Sequence, residues 1–332
     1  MMGRTGFKAP RVWLAPMSGS TDAPMRRQAV RFGAPAVVSE MVAGRTLAEA
    51  RPDMVRRICR HEGDAPWIVQ LAARQPEDMA HGTSLLVDAG VDVIDINMGC
   101  PAKQVTGGQS GSALMRDLDL AERIIVAALE NADGRPVTLK MRLGWDHDSL
   151  NAPELARRAE AAGVQMITVH GRTRSMFYKG QADWSAIAKT VGAVEIPVVA
   201  NGDICSVDHA RAALAGSGAH GVMVGRAALG QPWIIGQVAA AFEGRNWSAP
   251  SLAAQYASLC DQLSDSIDLY GSRLGVRMMR KHISAAIEHA PINLSDGERR
   301  SFRSESCRIE DPETLRSALA AIYLLDPQAR AA

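Results

Sequence analysis

Short apolar runs alternate over the first two-thirds of the chain with longer segments of helical spacing. The runs predict strands at "VWLAPM" (12–17), "AVVSEMV" (36–42), "WIVQLA" (67–72) and "VDVIDIN" (91–97). Four more follow at "PVTLKMRLG" (136–144), "MITVHG" (166–171), "IPVVANGD" (196–203) and "GVMVGR" (221–226). Amphipathic helices are predicted between them, among them 76–89, 118–131 and 151–162. Pro76 and Pro153 open two of these, where a missing amide proton costs little. Gly90 and Gly163 follow their ends as C-terminal caps. Strand–helix alternation implies parallel strands joined by crossover helices. Eight such units in about 240 residues is the size of a closed β/α barrel, and an open doubly wound sheet is the alternative if strands are fewer.

Beyond Arg226 the pattern changes. "GRNWSAP" (244–250) breaks the chain, and only helical spacing follows, over 251–270, 273–290, 298–308 and 313–325. Ser295 with Glu298, and Asp311 before Pro312, mark helix starts. The expected fold is therefore α/β: an eight-stranded parallel β/α (TIM) barrel over residues 1–243, with a small C-terminal all-helical domain over 251–332.

Composition narrows the class without naming a partner. Apolar residues make up 47% and charged residues 22%, as in a soluble globular protein. A net charge of +1 means that any nucleic-acid surface is local. The five cysteines (59, 100, 205, 260, 307) are scattered and lack CxxC spacing, which argues for reduced thiols and against a disulfide framework or a zinc site. "MMGRTGFKAPRVWLAPM" has no signal-peptide core, and no apolar run approaches the roughly 20 residues that span a bilayer. The expectation is a cytoplasmic monomer with no membrane and no metal partner.

A β/α barrel carries its chemistry at the C-terminal ends of its strands. Those ends read Met17, Glu40, Gln70, Asn97, Lys140, His170, Asn201 and Gly225–Arg226. One polar residue there would only mark the start of a loop; a ring that includes a lysine and a histidine reads as a site. The last two runs, "VVANGD" and "VMVGRAALG", pass into glycine turns, and the second leads to a helix expected near Ala227. Loops at this position form the usual phosphate pocket of such barrels, so a phosphorylated cofactor is the natural occupant. "GSGAHG" (216–221) matches the dinucleotide fingerprint GxGxxG, but a helical segment precedes it and a strand follows. It reads as a helix-to-strand turn, not a Rossmann motif.

"DINMGCPAKQVTGGQSG" (95–111) places Cys100 between a glycine and a proline, just past a strand. An arbitrary free cysteine is a small buried hydrophobe; one on an irregular loop at a barrel mouth reads as chemistry. Cys205, two residues past Asp203, lacks that framing and reads as packing. Lys140 lies deep in a strand run, where a charge is costly unless paired. A carboxylate such as Glu40 is one candidate partner, and His170 reads equally as structural.

Together the motifs resemble a known family. "LAPMSGSTDAPMR", "VQLAA", "DINMGCPAKQV", "LKMRLGWD", "VHGRTR", "VVANGDI" and "VMVGRAALGQPW" are similar, in order and spacing, to the tRNA-dihydrouridine synthases. The resemblance is to the bacterial B-type branch, also named nitrogen-regulation proteins, and "RMMRKH" (277–282) echoes the helical domain. It implies an FMN-dependent oxidoreductase that reduces the carbon 5–carbon 6 bond of a uridine in tRNA, with NADPH or NADH reducing the flavin. Carried over by position, Ala15, Pro16, Met17, Gln70 and Lys140 would hold the flavin ring. His170, Asn201, Gly202, Asp203, Gly225 and Arg226 would serve its ribityl chain and phosphate. Asn97, Arg142 and Arg172 would face the uracil.

Cys100 would be the catalytic acid. Hydride addition at carbon 6 leaves enolate-like charge that needs a proton at carbon 5, and cysteine, with an ordinary pKa of about 8.5, is mostly a thiol at neutral pH. Gly99 would keep bulk away from the base, Pro101 would stiffen the turn, and the glycines beyond would let the loop move. Arg273, Arg277, Arg280 and Lys281 recur at helical spacing, followed by Arg299, Arg300, Arg303 and Arg308. Such a stripe fits a phosphate backbone, with Arg277, Arg280 and Lys281 as its contacts. The uridine would be extruded from the folded RNA. Two other functions remain open: a flavin reductase of a free pyrimidine or small enone, and a non-catalytic RNA-binding regulator.

Overall fold

The computed structural model describes residues 7–49, 51–107 and 109–324. The outer ends of the two expected domains, 1–6 and 325–332, and Gly108 in the loop after Cys100 lie outside the described residues.

Nine strands form one parallel sheet among the described residues: β1 (Val12–Leu14), β2 (Val37–Val38), β3 (Val42–Ala43), β4 (Trp67–Ala72), β5 (Val93–Met98), β6 (Val137–Arg142), β7 (Met166–His170), β8 (Val198–Asn201) and β9 (Gly221–Val224). β1 pairs with both β2 and β9, and β2 pairs with β4, so the sheet closes into a ring of eight around β1, β2 and β4–β9. The stretch 36–42 was expected to be one strand. It is two short ones, because Val38 stands opposite Ile68 whereas Val42 stands opposite Leu71. Four residues advance against three, a β-bulge centred on Ser39–Glu40–Met41.

The ring is wrapped by α1 (Ala23–Arg31), α2 (Gly44–Ala48), α3 (Pro52–Ile58), α4 (Pro76–Asp88), α5 (Lys103–Thr106), α6 (Leu118–Glu130), α7 (Ala152–Ala162), α8 (Trp184–Val191), α9 (Val207–Ser217) and α10 (Ile234–Phe242). Pro76 stands at the start of α4 and Pro153 at that of α7, and Gly163 caps α7 in the left-handed conformation. "GSGAHG" is the turn from α9 to β9, reversed at Gly218 (φ +67°). The helix expected near Ala227 is instead a single 3₁₀ turn, Arg226–Ala228.

Side-chain alternation gives the barrel two cores. Trp13, Ala15, Ala36, Val38, Ile68, Val93, Met166, Val199 and Met223 fill the lumen. Val12, Leu14, Val37, Val69, Ile94, Ile96, Leu139, Ile167 and Val222 point outward to the helices.

The C-terminal region is α11 (Leu252–Tyr270), α12 (Ser272–His289), α13 (Asp296–Ser306) and α14 (Pro312–Tyr323). Its own core gathers Leu263, Val276, Ile283, Ile287, Leu315 and Leu319. Ser295 and Glu298 make the expected capping box of α13, and Asp311 caps α14. Among the described residues no helix is long and apolar enough to cross a membrane.

This region docks on the sector of the barrel built by β9, β1 and α1. Arg27 pairs with Asp265 at 2.5 Å, Ser258 donates to Gln28 at 2.9 Å, and the Tyr270 hydroxyl donates to Asp22 at 3.1 Å. Gly230, in the loop after β9, has φ +70°, and a Cβ on it would lie 2.1 Å from the Ala286 amide nitrogen in α12. Gly230→Ala therefore strains the backbone and pushes α12 off the barrel together. The expected cost is about 2 kcal/mol or more, read as a lower urea midpoint of unfolding.

Candidate active site

The period of two decides which side chains enter the lumen. Above the apolar floor, Ile68 is followed two residues on by Gln70, Val93 by Asp95 and Asn97, and Met166 by Thr168 and His170. Val199 is followed in the same way by Asn201, and Met223 by Gly225. On β6 the same face carries Thr138, Lys140 and Arg142. The inner columns thus turn from apolar to polar as they approach the mouth, and this brings the expected strand-end residues to one place.

Two hydrogen-bonded sets line that place. Asn97 Nδ2 donates to Gln70 Oε1 at 2.7 Å, Gln70 Nε2 donates to Asp95 at 2.6 Å, and Thr138 donates to the other oxygen of Asp95 at 2.6 Å. Next to it, Lys140 Nζ donates to Asn201 Oδ1 at 3.0 Å, and Asn201 Nδ2 donates to the Met223 carbonyl at 2.8 Å. Among the described residues no carboxylate hydrogen-bonds Lys140. Desolvation lowers its pKa to about 8, helped by repulsion from Arg142, while Asp95 and Cys100 pull the other way.

Glu40 does not serve the lysine. Displaced by the bulge, it accepts the Ser20 amide at 2.9 Å and lies 3.9 Å from Arg57. Burial and then the charge of Asp22 raise its pKa.

Cys100 sits at the mouth. Asn97 Oδ1 accepts the Gly99 and Cys100 amides at 3.2 and 3.0 Å, and Ser112 donates its amide and hydroxyl to the Cys100 carbonyl at 3.1 and 2.8 Å. Gly99 is explained by β6: a Cβ there would lie 3.3 Å from the Met141 carbonyl carbon. Cys205, read as packing, is exposed, with its sulfur 3.0 Å from His209 Nδ1.

The two arginines expected to face a base differ from that picture. Arg142 Nε donates to the Gly99 carbonyl at 2.8 Å, and its Nη1 donates to Thr173 and Phe177 carbonyls at 2.8 and 2.9 Å. Arg142 thus ties the Cys100 loop to the loop after β7, and only its Nη2 bonds no protein acceptor among the described residues. Arg172 is fully committed: to the Lys179 carbonyl at 3.0 Å, the Gly180 carbonyl at 2.6 Å and, bidentately, Asp203 at 2.9 and 2.5 Å. Only 2% exposed, it braces the loop after β7 against Asp203.

The strand-eight turn is strained into shape. Gly202 (φ +117°) has no room for a Cβ, which would lie 2.7 Å from that of Ala182, and Asp203 is also left-handed (φ +54°). Arg226 reaches Asp203 at 3.4 Å and is otherwise exposed. Arg172 and Arg226 against one Asp203 leave the turn one positive charge in excess. His170 is held neutral, its pKa lowered by burial and then by the surrounding cations, and its Nδ1 is buried without a partner. A Cβ on Gly225 would fall 3.8 Å from both Ala15 Cβ and Met17 Sδ, so the glycine keeps that cradle open.

On the helical side, Arg277 is exposed, but Arg280 lies 3.8 Å from Glu310. Lys281 turns inward: it is half-buried beside Gly19 and faces Asp22 and Glu40. Arg299 caps the end of α12 by donating to its last carbonyls, and Arg303 pairs with Glu288 at 2.5 Å. Arg273, Arg277, Arg300 and Arg308 remain exposed without an ion pair among the described residues.

Sequence reasoning missed Asp95, although its place two residues before Asn97 on one strand was the signal. It also missed Tyr178, 56% exposed, which bridges Arg142 and Arg226 with its ring.

A closed parallel barrel with a cation, a neutral imidazole and a thiol at the C-terminal strand ends is a β/α-barrel enzyme. The chain belongs to the dihydrouridine synthase family, whose pattern it matches over residues 13–322. It is 50% identical to a probable tRNA-dihydrouridine synthase of Rhodobacter capsulatus, over 91% of each chain. It is 45% identical to one of Rickettsia conorii over 93% of this chain and 92% of that one. It is also 43% identical to tRNA-dihydrouridine synthase B of Xanthomonas campestris pv. campestris, over 92% of this chain and 90% of that one.

The unpaired ammonium has a measurable consequence. Below about pH 8 the folded protein carries the cost of burying it, and as pH rises the proton leaves the folded state before the unfolded one. Lys140→Met is thus expected to stabilise the cofactor-free protein at pH 7. That gain should fade between pH 8 and the ordinary lysine range, as urea unfolding at both pH values would show.

Proposed function

We propose that this chain reduces the carbon 5–carbon 6 bond of a specific uridine in tRNA to dihydrouridine, with FMN as cofactor and NADPH or NADH as reductant. Membership of the family and the names of its relatives support the reaction. The observation that carries the cofactor is Lys140, an enclosed ammonium with only a neutral acceptor at the open end of the barrel. The orphaned Nδ1 of His170 and the cradle at Gly225 fit the same group.

In this reading Ala15, Pro16, Met17, Gln70 and Lys140 hold the isoalloxazine. His170, Asn201, Gly202, Gly225 and Arg226 serve the ribityl chain and phosphate, and Asp203 keeps Arg172 and Arg226 in place. Bound flavin supplies the hydride for carbon 6. Cys100 Sγ holds the proton for carbon 5, on a loop whose backbone is fixed from both ends by Asn97 and Ser112. Lys140 and Arg142 both lie within electrostatic reach of Cys100. Asn97 and Arg142 Nη2 meet the uracil edge, while Arg172 acts through the loops it braces. The helical region takes the tRNA backbone on Arg273, Arg277, Arg300 and Arg308, with Arg280 and Lys281 beside them on the same helix as Arg277. The enzyme works as a monomer in the cytoplasm, where its RNA substrate is.

Cys100→Ala is expected to keep flavin and tRNA binding and to lose at least about 100-fold in the rate of dihydrouridine formation. Full activity in that variant removes the thiol from the mechanism. Turnover of free uracil with none on tRNA would favour a small-molecule reductase. A protein that stays colourless after reconstitution with FMN would favour a non-catalytic RNA binder.

A further inference from the structure

Three arginines at the barrel mouth have no carboxylate partner among the described residues: Arg116, Arg142 and Arg174. Each lies over an aromatic ring instead. Arg116 stands 4.9 Å and Arg174 4.5 Å from the Trp145 ring centre, Arg174 is 5.0 Å from that of Phe177, and Arg142 is 5.8 Å from that of Tyr178.

This ladder is a built feature. The loops after β6 and β7 are stitched together where Gly144 and Trp145 carbonyls accept the amides of Arg174 and Ser175 at 3.0 and 2.8 Å. Asn151 Nδ2 donates to the Met115 carbonyl at 2.6 Å, which holds Arg116 against the same wall. Arg174 reaches Thr106 at 3.3 Å, joining the wall to the Cys100 loop, and its Nε is buried without an acceptor. Phe177 takes a left-handed conformation (φ +54°), and the turn there leaves Tyr178 exposed. The nearest acidic residues are occupied: Asp117 caps α6, and Asp146 accepts the Ser149 hydroxyl.

Position gives the ladder its meaning. In the ring of eight strands β6 lies opposite β1, so the ladder faces the docked helical region across the mouth. Cys100 and Lys140 lie between the two. Alternating guanidinium groups and rings are what unstacked bases and their phosphates bind, by stacking and charge together.

We propose that the Arg116–Trp145–Arg174 wall is a second RNA surface, which stacks the nucleotides flanking the extruded uridine while the helical region holds the tRNA body. This rests on the tRNA reading above. It predicts that the substrate is gripped from both sides of the mouth, with the reacting base between.

The test uses the flavin-loaded protein and an unmodified tRNA transcript in filter binding. Arg116 is exposed and makes no ion pair among the described residues, so Arg116→Ala should fold as the parent does. It is expected to weaken tRNA binding about fivefold or more, and Arg116→Ala with Trp145→Leu further still. Arg116→Lys should restore part of the loss. The salt dependence should flatten by about 0.7 in slope for each phosphate contact removed, and the KM for NADPH in flavin reduction should stay at the parent value. Affinity for tRNA within twofold of the parent in both variants overturns the proposal. A rise in the KM for NADPH with tRNA binding intact also overturns it, and gives the wall to the reductant. If the parent itself neither binds nor reduces tRNA, the underlying function fails instead.

Discussion

An ammonium enclosed by a ring of strands must find a counter-charge or give up its proton. Lys140 is in that position, with a neutral amide as its hydrogen-bond acceptor among the described residues and a pKa lowered to about 8. Asp95 is the nearest lumen carboxylate acting on it, but both its oxygens are engaged by Gln70 and Thr138. The protein therefore carries an unmet electrostatic demand at the C-terminal end of its barrel. The neutral imidazole of His170 and the open cradle over Ala15 and Met17 are arranged around that demand.

Most of the remaining positive charge at the mouth is structural. Arg142 and Arg172 donate to carbonyls of the loops after β5 and β7, so that loops of irregular backbone hold as steady as strands. This is how a barrel places chemistry on loops without losing precision: a charged donor buried among carbonyls fixes several chain segments at once. Among the cations not spent in this way are one set on the helical region and one on the Trp145 wall.

The barrel was legible because its strands announce themselves by apolar runs and its helices by proline and glycine at their ends. The lumen residues were legible for the same reason, since a period of two carries Gln70, Asn97, Lys140, His170 and Asn201 inward. What depended on contacts between distant segments was not. The charge on Arg172 and Lys281 was visible, but that Arg172 is consumed by Asp203 and Lys281 faces Asp22 was not. Gly99 looked like space for a ligand and is space for β6. The break in the second strand left no local signature, because Ser39–Glu40–Met41 alternates no differently from a straight strand.

That break has the widest reach of any single feature. In a straight strand the register of Val38 opposite Ile68 would continue to Glu40 opposite Gln70, and the carboxylate would enter the lumen that Lys140 also faces. The barrel would then neutralise itself and have little appetite for an outside anion. One extra residue of backbone swings Glu40 to Ser20 and Arg57 instead. Receptivity here is thus a matter of chain length on one short edge. Removing Met41 would turn Glu40 back towards the lumen without touching any group that meets a ligand.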